Sequence, residues 1–108
     1  MNAKTFDLER LRAQLKLWDA EIAHLEGTVQ RLEPDVQTAL QSEAHDMLQA
    51  MLETELAKLR QLRDEAEQEL QRMELAGDAE WKIQGERAER ALARLGAAFE
   101  QSRSHFGE

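Results

Sequence analysis

The sequence predicts an all-α fold: a long helical coiled coil whose long helix, kinked or broken at Pro34, is followed by a shorter helix folding back after Gly77-Asp78. Three observations predict it. Apolar residues recur at steps of three and four without a gap from Leu8 to Val36. The composition is dominated by Ala, Glu, Leu, Gln and Arg, with 33% of residues charged and only 5% aromatic, thin material for a broad globular core. There is one Pro and no Cys or Tyr, and no stretch alternates with the period of a strand. Residues 1–108 read as a single helical coiled-coil domain with helical segments at about 5–33, 35–76 and 79–104.

The first helix is expected to begin near Thr5 or Phe6, because Thr5 followed by Asp7 and Glu9 reads as a helix start with acid in its first turn. In heptad lettering Leu8, Leu15, Ile22, Val29 and Val36 occupy a, and Leu11, Trp18, Leu25 and Leu32 occupy d. Gly27 falls at the water-facing f position, where glycine costs about 1 kcal/mol relative to Ala.

Pro34 leaves two readings open. It removes a hydrogen bond and crowds the carbonyl of Gln30, so it either opens a new helix after a tight break or kinks a continuous one from position f. Residues 31–36 contain no Gly, Asn or Ser, which favours the kinked continuation. Beyond Val36 the apolar line runs Leu40, Ala44, Leu48, Met51, Glu55, Leu59, Leu62, Ala66, Leu70, Met73 and Gly77. Eleven-residue steps such as Leu48, Leu59, Leu70 give about 3.67 residues per turn and a nearly straight helix. Arg60 with Asp64 and Arg63 with Glu67 are spaced to pair along the helix surface. Met47, Met51 and Met73 read as adaptable core filling.

Gly77 reads as the residue after a helix and Asp78 as the N-cap of the next, with Glu80 in its first turn. The last helix puts Trp81, Gly85, Ala88, Leu92, Leu95, Phe99 and Phe106 on one face and Arg87, Arg90 and Arg94 away from it. Ala91, Gly96, Ala97 and Ala98 narrow it enough for close approach of a partner helix. Ser102 to Glu108 should fray.

Charge narrows the function classes. The formal net charge is −8, and the segment 34–76 carries most of it, with 10 acidic and 4 basic residues. Such a surface repels phosphates, so nucleic acid is not an expected partner. The opening residues contain no apolar signal core and charges interrupt every apolar run, so a cytoplasmic location is the expectation.

Glu21-Ile22-Ala23-His24 is an E-x-x-H, the half-motif that carboxylate di-metal bundles use twice. The phase opposes that chemistry here, because His24 falls at c, facing water, and no second copy of the motif is present. His45, beside Glu43 and Asp46, reads as part of a polar face, and His105 lies in the expected fraying tail. No nucleophile motif or phosphate loop is visible, so neither catalytic residues, a metal site nor a cofactor is expected. The run Asp64, Glu65, Glu67, Glu69 is interspersed with Arg60, Arg63 and Arg72 and reads as a solvated helix surface. The last helix, with its apolar face opposite several Arg, raises binding to a membrane surface as an alternative. The segment 77–108 holds 5 basic and 6 acidic residues, which gives anionic lipid little to attract.

The positions expected to carry helix packing are Leu8, Leu11, Leu15, Trp18, Ile22, Leu25, Val29, Leu32, Leu59, Leu62, Leu70, Trp81, Leu92, Leu95 and Phe99. A continuous long helix would leave the first seam, Leu8 to Val36, uncovered by the final helix. Each of its side chains contributes about 1.5–3 kcal/mol when buried, so a homo-oligomer, or another helical protein covering the seam, is the expected partner.

The chain resembles a family of small bacterial coiled-coil proteins of the cyanobacterial stress-response type. The resemblance rests on W-x-A-E-I-x-x-L-E at Trp18 to Glu26, on R-D-x-A at Arg63 to Ala66, on Ala76-Gly77 followed by Trp81, and on Leu95, Ala98, Phe99 and a final Phe106. It implies a helical, non-enzymatic protein linked to stress and adds no catalytic residue. Leu92 stands where members often carry another Trp, and Pro34 interrupts a stretch usually free of proline.

Overall fold

A computed structural model describes residues 2–32 and 39–105. Among them the chain forms three helices and no strand: α1 (Ala3–Leu32), α2 (Ala39–Leu75) and α3 (Trp81–Ser102).

α1 starts two residues before the expected Thr5, because Asn2 supplies the cap. Its side-chain oxygen accepts the Thr5 N–H at 2.8 Å and its carbonyl accepts the Phe6 N–H at 3.1 Å, satisfying donors that a helix start leaves unpaired. Asp7 and Glu9 therefore fall beyond the first turn, which holds no acid.

Side-chain pairs fix the directions of the helices. Arg12 reaches Glu74 (2.6 Å) and Glu67 (3.5 Å), Arg63 reaches Asp19 (2.6 Å), and Arg60 reaches Glu26 (3.1 Å), so α2 descends as α1 rises. α3 turns back again: Gln84 lies against Glu69 near one end and Ser102 against Glu55 near the other. The result is an up-down-up bundle with α1 and α3 parallel, 61 × 19 × 18 Å in extent. A helix unbroken from 5 to 76 would reach about 108 Å, so the kinked-continuation reading at Pro34 is replaced by a reversal between Leu32 and Ala39. Pro34 itself, like Val36, lies outside the described residues.

Burial follows this reversal. Leu11, Leu15, Ile22, Leu25 and Val29 are buried within their own chain, with Leu8 and Trp18 packed at the margin. The premise that the first seam lies uncovered is overturned: α2, packing back along α1, covers it together with α3. In α2 the phase also shifts from the expected line. Leu52 and Leu56 are buried at 2%, whereas Leu48 and Met51 are each 39% exposed and Met47 is 75% exposed. A central helix flanked by two partners needs a wider apolar arc than one seam, and Leu52, Leu56 and Leu59 supply it. Of the three methionines expected to fill the core, only Met73 does so.

The second turn also departs from expectation. Glu80, not Asp78, is the N-cap of α3, without a side-chain cap bond, and the Glu80 and Trp81 N–H groups donate to the Gly77 carbonyl at 3.0 and 3.1 Å. The end of α2 is closed from elsewhere: Lys4 Nζ donates to the Glu74 and Ala76 carbonyls at 3.0 and 2.7 Å. A cation on the last carbonyls of a helix contributes about 0.3–1 kcal/mol and here ties the start of α1 to the end of α2.

The narrow part of α3 works as its composition suggests. An added Cβ at Gly96 would stand 3.2 Å from Trp18 Cζ2, and one at Gly85 would stand 3.3 Å from Met73 Cε. Trp18 lies over Gly96 and stacks on Phe99, with centroids 4.7 Å apart and planes at 16°. Ala88, Ala91, Leu92, Leu95 and Ala98 are buried alongside, and Ala97 is exposed.

Candidate interaction surfaces

The packing positions named from the sequence converge on one core. Leu59, Leu70 and Leu95 are fully enclosed, Leu92 and Phe99 nearly so, while Leu62 and Trp81 sit half-buried at its edge. Burial of Leu32 lies outside what is described. Sequence reasoning missed Leu52 and Leu56. Their spacing of four, followed by three to Leu59, was the available signal, masked by the competing line through Leu48 and Met51.

The histidine candidates part company. His24 is exposed, its backbone carbonyl accepting a bond from Thr28 Oγ1 at 3.2 Å. The side chain of His45 lies outside the described ones. His105 Nδ1 stands 3.4 Å from Glu55 Oε1, and Ser102, buried at 2%, donates its hydroxyl to Glu55 Oε2 at 2.6 Å. Ser102 therefore does not fray, because the hydroxyl it buries is matched by a carboxylate on α2. Phe106 lies outside the described residues.

This Ser, Glu and His cluster lacks the order that activates a nucleophile. In a catalytic triad the imidazole stands between hydroxyl and carboxylate and takes the hydroxyl proton. Here the carboxylate stands between, and the Ser102 proton points at Glu55. The arrangement ends a helix; it does not poise a base. Among the described residues no three His, Asp or Glu side chains come together as a metal set.

The surface divides into two edges. Along the α1/α2 edge the arginines cross to the neighbouring helix instead of pairing four residues along their own. Arg63 holds Asp19 with two nitrogens, at 2.6 and 3.2 Å, and touches Asp64 at 3.3 Å. The hydrogen bond that Arg63 donates to the Asp19 carboxylate pushes the Arg63 pKa up, against the opposing effect of burial. Arg60 takes Glu26 in the same way, and the expected Arg60–Asp64 and Arg63–Glu67 pairs yield to these. Two carboxylates of the acidic run are also engaged, Glu67 by Arg12 and Glu69 by Arg72 and Gln84.

The α2/α3 edge is different. Arg72, Leu75, Ala76, Glu80, Ile83, Gln84 and Arg87 line an open groove beside the second turn. Leu75 is 87% and Ile83 57% exposed there. Arg87, Arg90 and Arg94 follow Ile83 along one line of α3, all exposed, with no ion pair among the described residues. Arg10, by contrast, takes Glu89 on the opposite flank of α3.

No described helix is long and apolar enough to cross a membrane. Comparisons with protein-family models, with curated proteins and with solved structures find no match to this chain.

Proposed function

We propose that this chain is a non-enzymatic helical interaction protein that acts in the cytoplasm through helix-to-helix association. The observation that carries the reading is the α2/α3 edge, where Leu75, Ile83 and Met47 stand in water on rigid helices instead of joining the core. The resemblance to stress-response coiled-coil proteins supplies the setting, and the Glu55-centred cluster of Ser102 and His105 supports a structural role over catalysis.

Lipid-surface binding is the second reading, and it meets a physical obstacle. The apolar face of α3, with Leu92, Leu95 and Phe99, is packed inside the bundle, so presenting it to a bilayer requires opening the core. Vesicle co-sedimentation separates the two. The helix-association reading expects no pelleting with neutral or anionic vesicles, and it expects capture from stressed cells of a helical partner that Leu75→Asp with Ile83→Asp no longer retains. Vesicle binding accompanied by loss of the Trp18–Phe99 packing, seen in tryptophan fluorescence, would overturn it in favour of lipid.

A further inference from the structure

Among the described residues every arginine but three finds a partner inside the chain. Arg10, Arg12, Arg60, Arg63, Arg72 and Arg103 each hold a carboxylate, and Arg31 donates to Thr28. Arg87, Arg90 and Arg94 hold none, in a protein whose net charge is −8. They follow Ile83 at spacings of four, three and four, which keeps all four on one line of α3. Ile83 and Arg87 line the groove with Arg72 of α2, whereas Glu89 meets Arg10 on the other flank, so the line runs along the outer α2/α3 edge. Arg72 ends the facing line of α2, which reads Met51, Lys58, Glu65, Arg72 at steps of seven, two helical turns each. Lys58 adds a further exposed cation, and neither Glu65 on that line nor Glu80 in the groove pairs with the arginines. The edge is thus basic along α3 and apolar at the second turn, where Leu75 and Ile83 are exposed.

We infer that this edge receives an acidic amphipathic helix of another protein as a fourth helix of the bundle, its carboxylates on Arg87, Arg90 and Arg94 and its apolar side chains over Leu75 and Ile83. Charge complementarity selects the occupant. Guanidinium forks match carboxylates, and arginines three and four residues apart stand about 5–6 Å from one another, the separation of carboxylates at the same spacing on a facing helix. From Ile83 to Arg94 the line spans about 17 Å, three turns of helix for a partner to follow. The apolar end decides between acidic ligands. A phosphate polymer has nothing to lay on Leu75 and Ile83, whereas an amphipathic helix carries both chemistries on one face. The chain's own carboxylates do not supply the complement. Asp19, Glu26, Glu67 and Glu74 are engaged across the α1/α2 edge, and Glu53 lies on that same edge beside Glu26 and Arg60. The core takes no part, so the bundle folds before it is joined. This rests on the helix-association reading and names the chemistry of the partner.

The test uses the full chain and a labelled synthetic peptide of about 20 residues, alanine-based so that it is helical, with two leucines one turn apart and then three glutamates at spacings of three and four on the same face. Fluorescence anisotropy reads the binding. The wild type is expected to bind saturably at tens of micromolar, more weakly as salt rises. Arg90→Glu with Arg94→Glu, both exposed positions, should bind roughly 10-fold or more weakly while keeping wild-type helicity by circular dichroism. A peptide with lysines in place of the glutamates should reverse the order and prefer the variant. Absence of saturation at hundreds of micromolar, or equal binding by wild type and variant, would overturn the inference. So would equal binding of a peptide whose leucines are moved to the opposite face, since charge alone would then account for the contact. Tighter binding of a DNA duplex or of phosphatidylserine vesicles through the same arginines would give the edge to phosphates, and a wild-type dimer that the variant dissolves would give it to a second copy; either overturns the inference. Failure of the peptide would leave the broader interaction reading standing, because that reading is judged by partner capture and vesicle sedimentation.

Discussion

The two long edges of α2 handle charge in opposite ways. On the α1 side Arg12, Arg60 and Arg63 each find a carboxylate on the neighbouring helix, and the second turn is tied back by Lys4 on the Glu74 and Ala76 carbonyls. On the outer α3 side Arg87, Arg90 and Arg94 reach none among the described residues, and Ile83 and Leu75 lie open beside them. One edge is closed within the chain and the other presents its chemistry outward. Net charge alone conceals this, because an acidic protein need not be acidic on every face.

The largest test asks whether both edges rest on one core. Leu59→Ala removes a fully buried side chain from the centre of α2 and is expected to cost about 2–5 kcal/mol, read as a lower urea midpoint by circular dichroism. Loss of all helix in one step would show a shared core. Two separated transitions would show that α1 and α3 attach to α2 independently, and the comparison would have to be redrawn.

Glycine substitutions sharpen the same contrast at the α1/α3 contact. Gly96→Ala places a methyl 3.2 Å from the Trp18 ring, which stacks on Phe99, and is expected to destabilise by about 1–3 kcal/mol with a shift in tryptophan emission. Gly27→Ala meets nothing within 4 Å and should instead stabilise by about 0.5–1 kcal/mol. Equal effects at the two sites would show that Trp18 moves aside without cost.

The cross-helix ion pair is the next smaller effect. Arg63→Ala removes a two-pronged hold on Asp19 at an edge still one-third open to water, so about 1 kcal/mol or less is expected, diminishing in high salt. Arg90→Ala should be smallest in the monomer, within about 0.5 kcal/mol, since no carboxylate loses a partner. A loss at Arg90 as large as that at Arg63, measured at concentrations too low for association, would erase the distinction between the edges.

Much of the core was legible because period and phase are local properties. The line from Leu11 to Val29 could only be buried, and Leu92, Leu95 and Phe99 could only share a face, whatever covered them. In α2 the same logic misled. Two apolar lines compete there, and which is buried depends on where two neighbouring helices stand, a fact outside the segment itself. The caps show the same limit. Asn2 was a local signal overlooked in favour of Thr5, whereas Lys4 on the end of α2 joins residues more than seventy positions apart and leaves no local trace.

By itself the sequence determined that the chain is helical, roughly where the helices lie, and which faces must leave water, because propensity, caps and the 3.6-residue period act within a few turns. Only the tertiary structure decided that the first helix folds back on its own chain, that Leu52 and Leu56 displace Met47 and Met51 from the core, and that Arg60 and Arg63 pair across helices while Arg87, Arg90 and Arg94 do not. A repeating apolar seam states that it needs a partner surface. Whether its own chain supplies that surface depends on the direction taken after Leu32, which decides where each seam finds its cover.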